Sequence, residues 1–330
     1  MKALIKKNKG QLVVQTLPEI QWDGRLTNSA RSTFLNCRKK FEWAYLRRLA
    51  PRKQSIPFLV GGAVHNGLER MYKTGKFSYE DEYAIADKLC GEAAMNAVDP
   101  KESDDIQQQL AMIIGILSGY NKLYLKADLS KWSVLEAEAS FEYLLPNGWR
   151  KQGKRDMMVK RKADGKVGLV EHKTAGRVDA NYVSKLPLDN QIIGYANAVK
   201  KETGKLPDFV VYNIMKKTQL RKKQTETFEQ YAKRIEEDYV LNPSNYFYRE
   251  TLTVTAKSAK NFDDELNLFV GEMERAIKEN YFYKNTQQCT AMGVCPFMSL
   301  CIEGPNRANL SKFRERENLH EELVTVQEAN

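Results

Sequence analysis

Apolar residues recur every three or four positions across residues 34–49, which is the spacing of a helix with one buried face. The polar run TNS at residues 27–29 precedes this stretch and is typical of a helix N-cap. The same spacing predicts two further helices, over residues 61–72, ending near Gly75, and over residues 106–125. The part of the chain from residue 27 to residue 130 is therefore predicted to be helical.

The pattern changes after residue 131, where stretches rich in strand-forming residues are separated by turn signals. The tripeptides PNG at 146–148 and ADG at 163–165 are typical of tight turns between antiparallel strands. Strands are predicted over residues 134–143, 149–160, 167–172 and 209–215, and a helix over residues 189–200. These elements predict an α/β fold, in which a small mixed β-sheet is embedded between helical regions.

Beyond the predicted sheet the helical spacing returns, and the C-terminus is rich in charge. Helices are predicted over residues 228–238 and 263–281, followed by a loosely helical tail after residue 307. We predict this division of the chain: an N-terminal segment (1–26), a helical region (27–130), a sheet core (131–215), a second helical region (216–304) and a charged tail (305–330).

Composition narrows the class of protein. Of the 330 residues, 42% are hydrophobic and 28% are charged, which predicts a packed core rather than disorder. No apolar run approaches the ~18 residues of a membrane span, and the N-terminus lacks the apolar region of a secretion signal. Five cysteines do not form the framework of a disulfide-rich protein. We therefore expect a cytoplasmic protein with no membrane association.

The charge balance indicates the kind of partner. The chain carries 52 basic and 42 acidic residues, a net charge of +10, which favours binding to a polyanion. Basic residues are concentrated in the predicted helix at 38–48 and in the run KKTQLRKK at 216–223. Each run could also be an ordinary solvated surface.

Three charged residues lie where the predicted sheet has its most apolar strand. Asp156 is near the end of one predicted strand, and a hairpin would bring it beside Glu171 at the end of the next. Glu171 and Lys173 share one face of that strand because side chains alternate. Two adjacent carboxylates favour a bound cation, and the lysine would lie beside a metal-activated water. The alternative is a set of surface charges, although Glu171 follows the apolar run VGLV at 167–170.

Two helical features are less specific. His65 lies among apolar neighbours, where a histidine is more often a packed core residue, although neutral imidazole is a common metal ligand. Gln191 and Tyr195 are four residues apart and share one helix face, as many surface residues do.

The cysteines form a second constellation. Cys289, Cys295 and Cys301 follow the pattern C-x5-C-x5-C, and Cys37 lies on the first predicted helix. Three cysteines within thirteen residues, with a distant fourth, are able to bind a [4Fe–4S] cluster or Zn²⁺. The alternative is that all five cysteines, including Cys90, are reduced buried thiols.

Taken together, these motifs resemble the RecB-like branch of the PD-(D/E)XK nucleases, which includes AddB-type and CRISPR-associated exonucleases with an iron–sulfur cluster. The matching features, in chain order, are an early cysteine (Cys37), G-x-x-x-H ending at His65, G-x-x-D ending at Asp156, E-x-K from Glu171 to Lys173, Q-x-x-x-Y from Gln191 to Tyr195, and the C-terminal cysteines. Two departures are an arginine, not proline, before Asp156, and the absence of the C-x2-C that usually opens the C-terminal group.

The resemblance implies a role for each matching residue. The side chains of His65, Asp156 and Glu171, and the backbone carbonyl of His172, would hold Mg²⁺ or Mn²⁺, and Lys173 would be the catalytic lysine. Gln191 and Tyr195 would support the site and the DNA. Cys37, Cys289, Cys295 and Cys301 would bind a [4Fe–4S] cluster, or alternatively Zn²⁺, and so clasp the C-terminal segment onto the first helix. Glu69 and Glu138 could also approach the metals, although no motif identifies them.

The implied function is a metal-dependent DNA exonuclease acting in recombination, repair or phage DNA metabolism. If the clasp closes the helical regions over the site, a strand must enter by threading, which favours free ends of single-stranded DNA. The chain lacks the G-x-x-x-x-G-K-[ST] motif of a helicase motor, so a separate helicase, annealing protein or recombinase is the expected partner.

Two alternatives belong to other classes of protein. One is a catalytically weak or inactive DNA-binding subunit with a structural metal cluster, although Asp156, Glu171 and Lys173 are all present. The other is a zinc-stabilised RNA-binding module, for which the sequence offers no aromatic-rich stacking motif.

Overall fold

The computed structural model describes residues 6–8, 11–13, 16–52, 56–95, 100–291, 293–320 and 323. Parts of the predicted N-terminal segment and most of the chain after residue 320 lie outside the described residues. Among the helices that the structure describes, none combines the length and the apolar character needed to cross a membrane.

Helices make up most of the secondary structure in the described ranges. They are α1 (Asn28–Asn36), α2 (Arg38–Phe41), α3 (Ile56–Thr74), α4 (Tyr79–Met95), α5 (Pro100–Tyr120), α6 (Lys126–Lys131), α7 (Ala180–Ser184), α8 (Asn190–Thr203), α9 (Phe228–Leu241), α10 (Ala256–Lys278), α11 (Met298–Ile302) and α12 (Arg307–Leu310). Two π-helical turns (Glu42–Leu46 and Asn121–Leu125) and three 3₁₀ turns (Leu186–Leu188, Pro243–Asn245 and Thr286–Cys289) complete the set.

The strands form one larger sheet and two small pairs. They are β1 (Lys6–Asn8), β2 (Gln11–Val13), β3 (Arg25–Leu26), β4 (Leu49–Pro51), β5 (Trp132–Leu144), β6 (Arg150–Arg161), β7 (Val167–Ala175), β8 (Phe209–Lys216), β9 (Phe247–Leu252) and β10 (Phe313–Glu315). The order in the sheet is β3-β6-β7-β8-β9, with β5 also paired to β6. The β7–β8 pairing is parallel, and β6–β7 and β8–β9 are antiparallel. The predicted α/β class with a mixed sheet is confirmed.

The described chain divides into two compact units. The first, here called the sheet unit, comprises Lys53–Ala139 and Arg155–Lys260. The second, the terminal unit, comprises Met1–Arg52, Ser140–Lys154 and Asn261–Asn330.

The core of the sheet unit lies between its helices and the inner strands. Every residue of β8 from Phe209 to Met215 is buried, as expected for a strand covered on both faces. Helix α3 packs so close to α5 that a side chain in place of Gly67 would collide with Leu117. This close approach and the burial of Val64 place one face of α3 inside the unit. That packing fixes the helix that carries His65.

The terminal unit joins the two ends of the described chain. Strand β3 pairs with the start of β6, with Arg25 opposite Arg150, and β4 pairs with β10. Aromatic rings fill the core, where Phe34 packs edge-on against Phe41 and Phe269.

Several local predictions are confirmed by the cap geometry. The Thr27 hydroxyl accepts a hydrogen bond from the Ala30 backbone N–H at 3.1 Å, and so caps α1. Gly75 follows α3 with a φ of 71° and donates its N–H to the Met71 carbonyl, which ends the helix. The two turns predicted at PNG and ADG each hold a glycine with positive φ.

The continuous helix predicted over residues 34–49 is wrong. Cys37 has an extended backbone (φ −162°, ψ 111°) and separates α1 from α2, and the stretch ends in β4 instead of a helix. Its sulfur accepts a hydrogen bond from the Asn285 backbone N–H at 3.4 Å. A partner 248 residues away therefore stabilises a break that the local pattern does not indicate.

The loosely helical tail predicted after residue 307 is also wrong up to residue 320. Only α12 is helical there, and β10 pairs with β4. Phe313 and His320 are fully buried in the terminal unit. Strand β9 was not predicted, because its sequence FYRETL has no clean alternation of apolar residues.

Candidate metal centre and active site

The hairpin of β6 and β7 brings two carboxylates together. Met157 pairs with Val170, and the next position of the same register sets Asp156 opposite Glu171. Both carboxylate side chains are buried. The His172 backbone N–H donates a 2.7 Å hydrogen bond to Asp156 Oδ2, so the carboxylate is anchored to the neighbouring strand.

Helix α3 adds an imidazole to this pair of strands. His65 Nδ1 lies 3.3 Å from Asp156 Oδ1 and 3.5 Å from Glu138 Oε1. One donor atom from each of the three residues lies within 4.8 Å of the others. Two carboxylates and one imidazole are a donor set suited to Mg²⁺, with a shift of preference towards Mn²⁺ from the nitrogen.

The electrostatics of the group also fit a cation. Burial disfavours the imidazolium, but the Asp156 and Glu138 carboxylates outweigh it and raise the pKa of His65 to about 10. Burial and the Asp156 charge raise the pKa of Glu171, in spite of the neighbouring Lys173. Burial disfavours the charged form of Asp156, yet His65 and Lys173 hold its pKa well below the usual range. The His65 imidazolium is therefore the counter-charge of the Asp156 and Glu138 carboxylates, and a divalent cation would take the place of its proton.

A chain of polar contacts continues from Glu171. Lys173 Nζ lies 2.5 Å from Glu171 Oε1 and donates a 2.9 Å hydrogen bond to Gln191 Oε1 on α8. The Gln191 amide in turn donates to the Tyr195 hydroxyl at 2.8 Å. The structure therefore brings four of the predicted site residues into one row of contacts. Within this row, Gln191 and Tyr195, four positions apart on α8, hold the amine of Lys173 in place.

Alternation along β7 places the ring of His172 on the opposite face from Glu171 and Lys173, and there it meets the His65 ring edge-on, with centroids 6.4 Å apart. It stacks on Tyr72 with a 6.0 Å centroid distance and meets Tyr120 edge-on. Burial lowers its pKa to about 4, so the ring is neutral, and Nδ1 accepts a hydrogen bond from the Asn213 amide at 3.3 Å. The side chain is thus a packing element behind the site.

A buried ion pair supports this packing. Arg249 on β9 binds both oxygens of Asp128 at 2.7 and 2.8 Å and donates to Asn213 Oδ1 at 2.5 Å. The strand registers place His172 beside Asn213, and Asn213 beside Arg249. Three neighbouring strands therefore form one hydrogen-bonded row, which holds the strand whose backbone anchors Asp156.

The predicted cysteine ligands lie in the terminal unit. Cys37 accepts the hydrogen bond from Asn285, and the Trp43 indole N–H donates to Cys301 Sγ at 3.4 Å. The structure therefore brings the N-terminal helices into contact with the C-terminal cysteine segment. N–H···S bonds of this kind are typical of sulfurs that bind metal clusters.

The remaining two cysteines of the pattern lie along the same segment. The Cys295 N–H donates to the Cys289 carbonyl at 2.8 Å. Burial raises the pKa of the Cys295 thiol, as do Cys301 and Cys289, whereas Lys40 lowers it. In the ranges that the structure describes, no three of the sulfurs lie within 4.8 Å of one another. None of the five cysteines, all of them described, forms a disulfide.

Two sequence candidates have other partners. Glu69, one helical turn after His65, pairs with Lys73 at 2.5 Å. In the basic helix region, Arg38 pairs with Glu272 at 2.6 Å, and Lys39 pairs with Glu42 at 2.5 Å. Part of the charge assigned to phosphate binding is therefore used within the protein.

The sequence named Glu138 only as a residue near the metals, and it did not indicate the Asp128–Arg249 pair. Glu138 lies on β5 outside any motif. Asp128 and Arg249 are 121 residues apart, and neither stands in a recognisable pattern. No short-range signal was available for these residues.

Comparison with known proteins shows the family of the chain. The sequence matches the family model of the PD-(D/E)XK nuclease superfamily over residues 25–302. No curated protein matches at a significant level.

Two solved structures are similar to the chain. A provisionally assigned exonuclease from Eubacterium rectale has 15% identity and a TM-score of 0.44, over 81% of this chain and 86% of that one. The protein SSO0001 has 14% identity and a TM-score of 0.23, over 68% and 79%. Because both TM-scores are below 0.5, the assignment depends on the family model, which covers most of the chain. By that match, the chain belongs to the PD-(D/E)XK nuclease superfamily.

Proposed function

We propose that this protein is a metal-dependent DNA exonuclease of the RecB-like branch that acts on free ends of single-stranded DNA. The observation that carries the proposal is the 3.3 Å approach of His65 to Asp156, beside the ion pair of Glu171 and Lys173. An imidazole, two acidic strand residues and a lysine thus meet at one end of a buried hairpin.

The residues present fit a divalent cation, and the proposed ligands are the side chains of His65, Asp156 and Glu171, with the His172 carbonyl. When bound, Mg²⁺ or Mn²⁺ supplies Lewis-acid stabilisation of the phosphoryl oxygens and lowers the pKa of water. Asp156 and Glu171 would hold that cation from two neighbouring strands, at a place where both side chains are buried.

Lys173 has the second role in this proposal. Its amine is positioned by Glu171 on one side and by the Gln191 amide on the other. Burial lowers its pKa, but the carboxylates of Glu171 and Asp156 outweigh burial and raise it. The amine therefore stays protonated. A protonated amine at a fixed place orients the attacking water and stabilises the charge that develops on the phosphate.

The segment after β8 is the proposed contact with the DNA backbone. Arg221, Lys222 and Lys223 are exposed in the sheet unit, and exposed cations bind phosphates without reading the base sequence. By contrast, Arg38 and Lys39 are already paired with carboxylates.

The cysteines are proposed to hold a [4Fe–4S] cluster, with Zn²⁺ as the alternative. Cys37, Cys289, Cys295 and Cys301 would be the ligands. The hydrogen bonds from Asn285 and Trp43 hold two of the sulfurs in place. A role in recombination, repair or phage DNA metabolism, together with a helicase, annealing protein or recombinase, completes the proposal.

The test is the digestion of linear and circular single-stranded DNA of the same sequence, with Mg²⁺ or Mn²⁺ and at low salt. We expect short products from the linear substrate and no cleavage of the circle, with Asp156→Asn as the inactive control. Equal rates on both substrates would make the protein an endonuclease. DNA binding without cleavage of either would identify an inactive subunit.

A further inference from the structure

Glu138 has a backbone conformation that is rare for its residue type. Its φ is 53°, in the left-handed region that glycine adopts without strain and that a glutamate does not favour. Of the described non-glycine residues with positive φ, namely Arg48, Glu138 and Asn280, only Glu138 lies within a strand. A strand that adopts this conformation at an acidic residue requires a compensating interaction.

The conformation changes which face of β5 is buried. Trp132 and Glu138 are buried and separated by six positions, as alternation requires, but the next buried residue is Phe141, three positions on. An inserted residue of this kind is typical of a β-bulge, which redirects one side chain. Here the alternation holds from Trp132 to Glu138, so Glu138 keeps the buried face, and the residues after it change face.

The carboxylate of Glu138 lies at the candidate metal centre. Glu138 Oε1 is 3.5 Å from His65 Nδ1, which is 3.3 Å from Asp156 Oδ1. Glu138 is only 9% exposed, so its charge is largely removed from water beside a second carboxylate. The left-handed backbone disfavours the metal-free fold, in which His65 compensates the charge of both carboxylates, and a divalent cation would take over that compensation.

We propose that Glu138 is a further ligand of the catalytic cation, and that its left-handed backbone is retained because the residue has this role. The residue then strengthens metal binding while it weakens the metal-free fold. This inference rests on the proposed metal site, but it assigns a ligand from β5 that no motif of the chain identifies.

The test compares Glu138→Ala with Glu138→Gly. Both variants lack the carboxylate, and only glycine relieves the left-handed strain. We expect both to lower Mn²⁺ affinity by about 10–100-fold, measured by calorimetry on the nuclease without DNA. We also expect the metal-free Glu138→Gly variant to melt roughly 2 °C above Glu138→Ala, the reverse of the usual order in a strand.

Three control variants sharpen the comparison. Glu142→Gln removes an exposed carboxylate from the same strand and is expected to leave Mn²⁺ affinity unchanged. Asn280→Gly relieves a left-handed residue outside any strand and is expected to change stability without changing metal affinity. Asp156→Ala is expected to abolish Mn²⁺ binding.

Each outcome has one meaning. Mn²⁺ affinity within twofold of wild type in both Glu138 variants, with loss in Asp156→Ala, would overturn the ligand assignment alone. Unchanged affinity in Asp156→Ala as well would show that the proposed metal site is wrong. A higher melting temperature for Glu138→Ala than for Glu138→Gly would show that the backbone is not strained.

Discussion

The carboxylate cluster of the sheet unit and the cysteine segment of the terminal unit are built in different ways. Asp156 and Glu171 lie on long paired strands, and a hydrogen-bonded row of three strands supports them from behind. In the described residues of the segment that holds Cys289 and Cys301, the secondary structure is a 3₁₀ turn, one isolated bridge between Ala291 and Gly293, and the five-residue helix α11.

This difference bears on which of the two proposed ligands, the divalent cation or the metal bound by the cysteines, would contribute to folding. A site on rigid strands is formed before its cation binds, so the cation contributes to reactivity more than to the fold. A segment with little secondary structure gains order from a ligand that joins its ends, and the binding free energy then becomes folding free energy. Removal of the divalent cation should therefore abolish activity with little loss of stability, whereas removal of the metal bound by the cysteines should mainly lower stability.

The largest effect is expected at the strand site. Asp156→Ala, Glu171→Ala and Lys173→Ala should each reduce cleavage of linear DNA by about 10³-fold or more, because each removes a ligand or the amine. The circular dichroism spectrum and DNA affinity should remain close to wild type. Asp164→Asn, in an exposed turn of the same unit, is the control. Wild-type rates in any two of the three variants would place the active site elsewhere.

The second largest effect is expected for the cysteine variants of the terminal unit. Serine at Cys37, Cys289, Cys295 or Cys301 should remove iron and acid-labile sulfide from anaerobically purified protein and lower the melting temperature by about 10 °C. Removal of divalent cations by EDTA should stop cleavage with a much smaller change in melting temperature.

The control for the cysteine series is Cys90→Ala, since Cys90 is buried in α4 of the sheet unit. It should retain the iron. Stoichiometric zinc without iron would show that the four cysteines hold Zn²⁺ instead of a cluster, with the same structural role. Equal melting temperatures with and without the metal bound by the cysteines would contradict the proposed difference between the two regions.

A smaller effect is expected from the support behind the strands. Arg249→Met leaves Asp128 buried without its ion-pair partner and should lower the free energy of unfolding by roughly 3 kcal/mol, measured in urea. The double variant with Asp128→Leu should recover much of this loss. Arg177→Met, which breaks an exposed pair with Asp179, should change stability by less than about 1 kcal/mol.

The smallest effect is expected at the helix that completes the metal site. His65→Ala should slow cleavage by about tenfold at low Mn²⁺ and approach the wild-type rate at high Mn²⁺, because one lost ligand weakens affinity without removing the lysine or the carboxylates. Glu69→Gln, one turn along the same helix, should have no effect, since Glu69 pairs with Lys73. A defect that high Mn²⁺ does not relieve would argue against a ligand role for His65.

Elements whose structure depends on near neighbours were predictable. Thr27 caps α1 with its own hydroxyl, and Gly75 ends α3, because both bonds join residues three or four positions apart. The hairpin of β6 and β7 follows from its turn and its apolar runs. Pairing across that hairpin then brings Asp156 to Glu171 without help from the rest of the chain.

Distant contacts decided what the pattern did not indicate. Cys37 interrupts a helical run because its partner is Asn285, and the half-buried Arg249 is paired with the buried Asp128, 121 residues away. Glu138 adopts a left-handed conformation that the local pattern would not place in a strand. In each case the local preference is worth about 1 kcal/mol or less per residue, and buried hydrogen bonds and charges outweigh it. Local pattern therefore accounts for the hairpin and its motifs, and tertiary packing decides which further groups reach the metal centre.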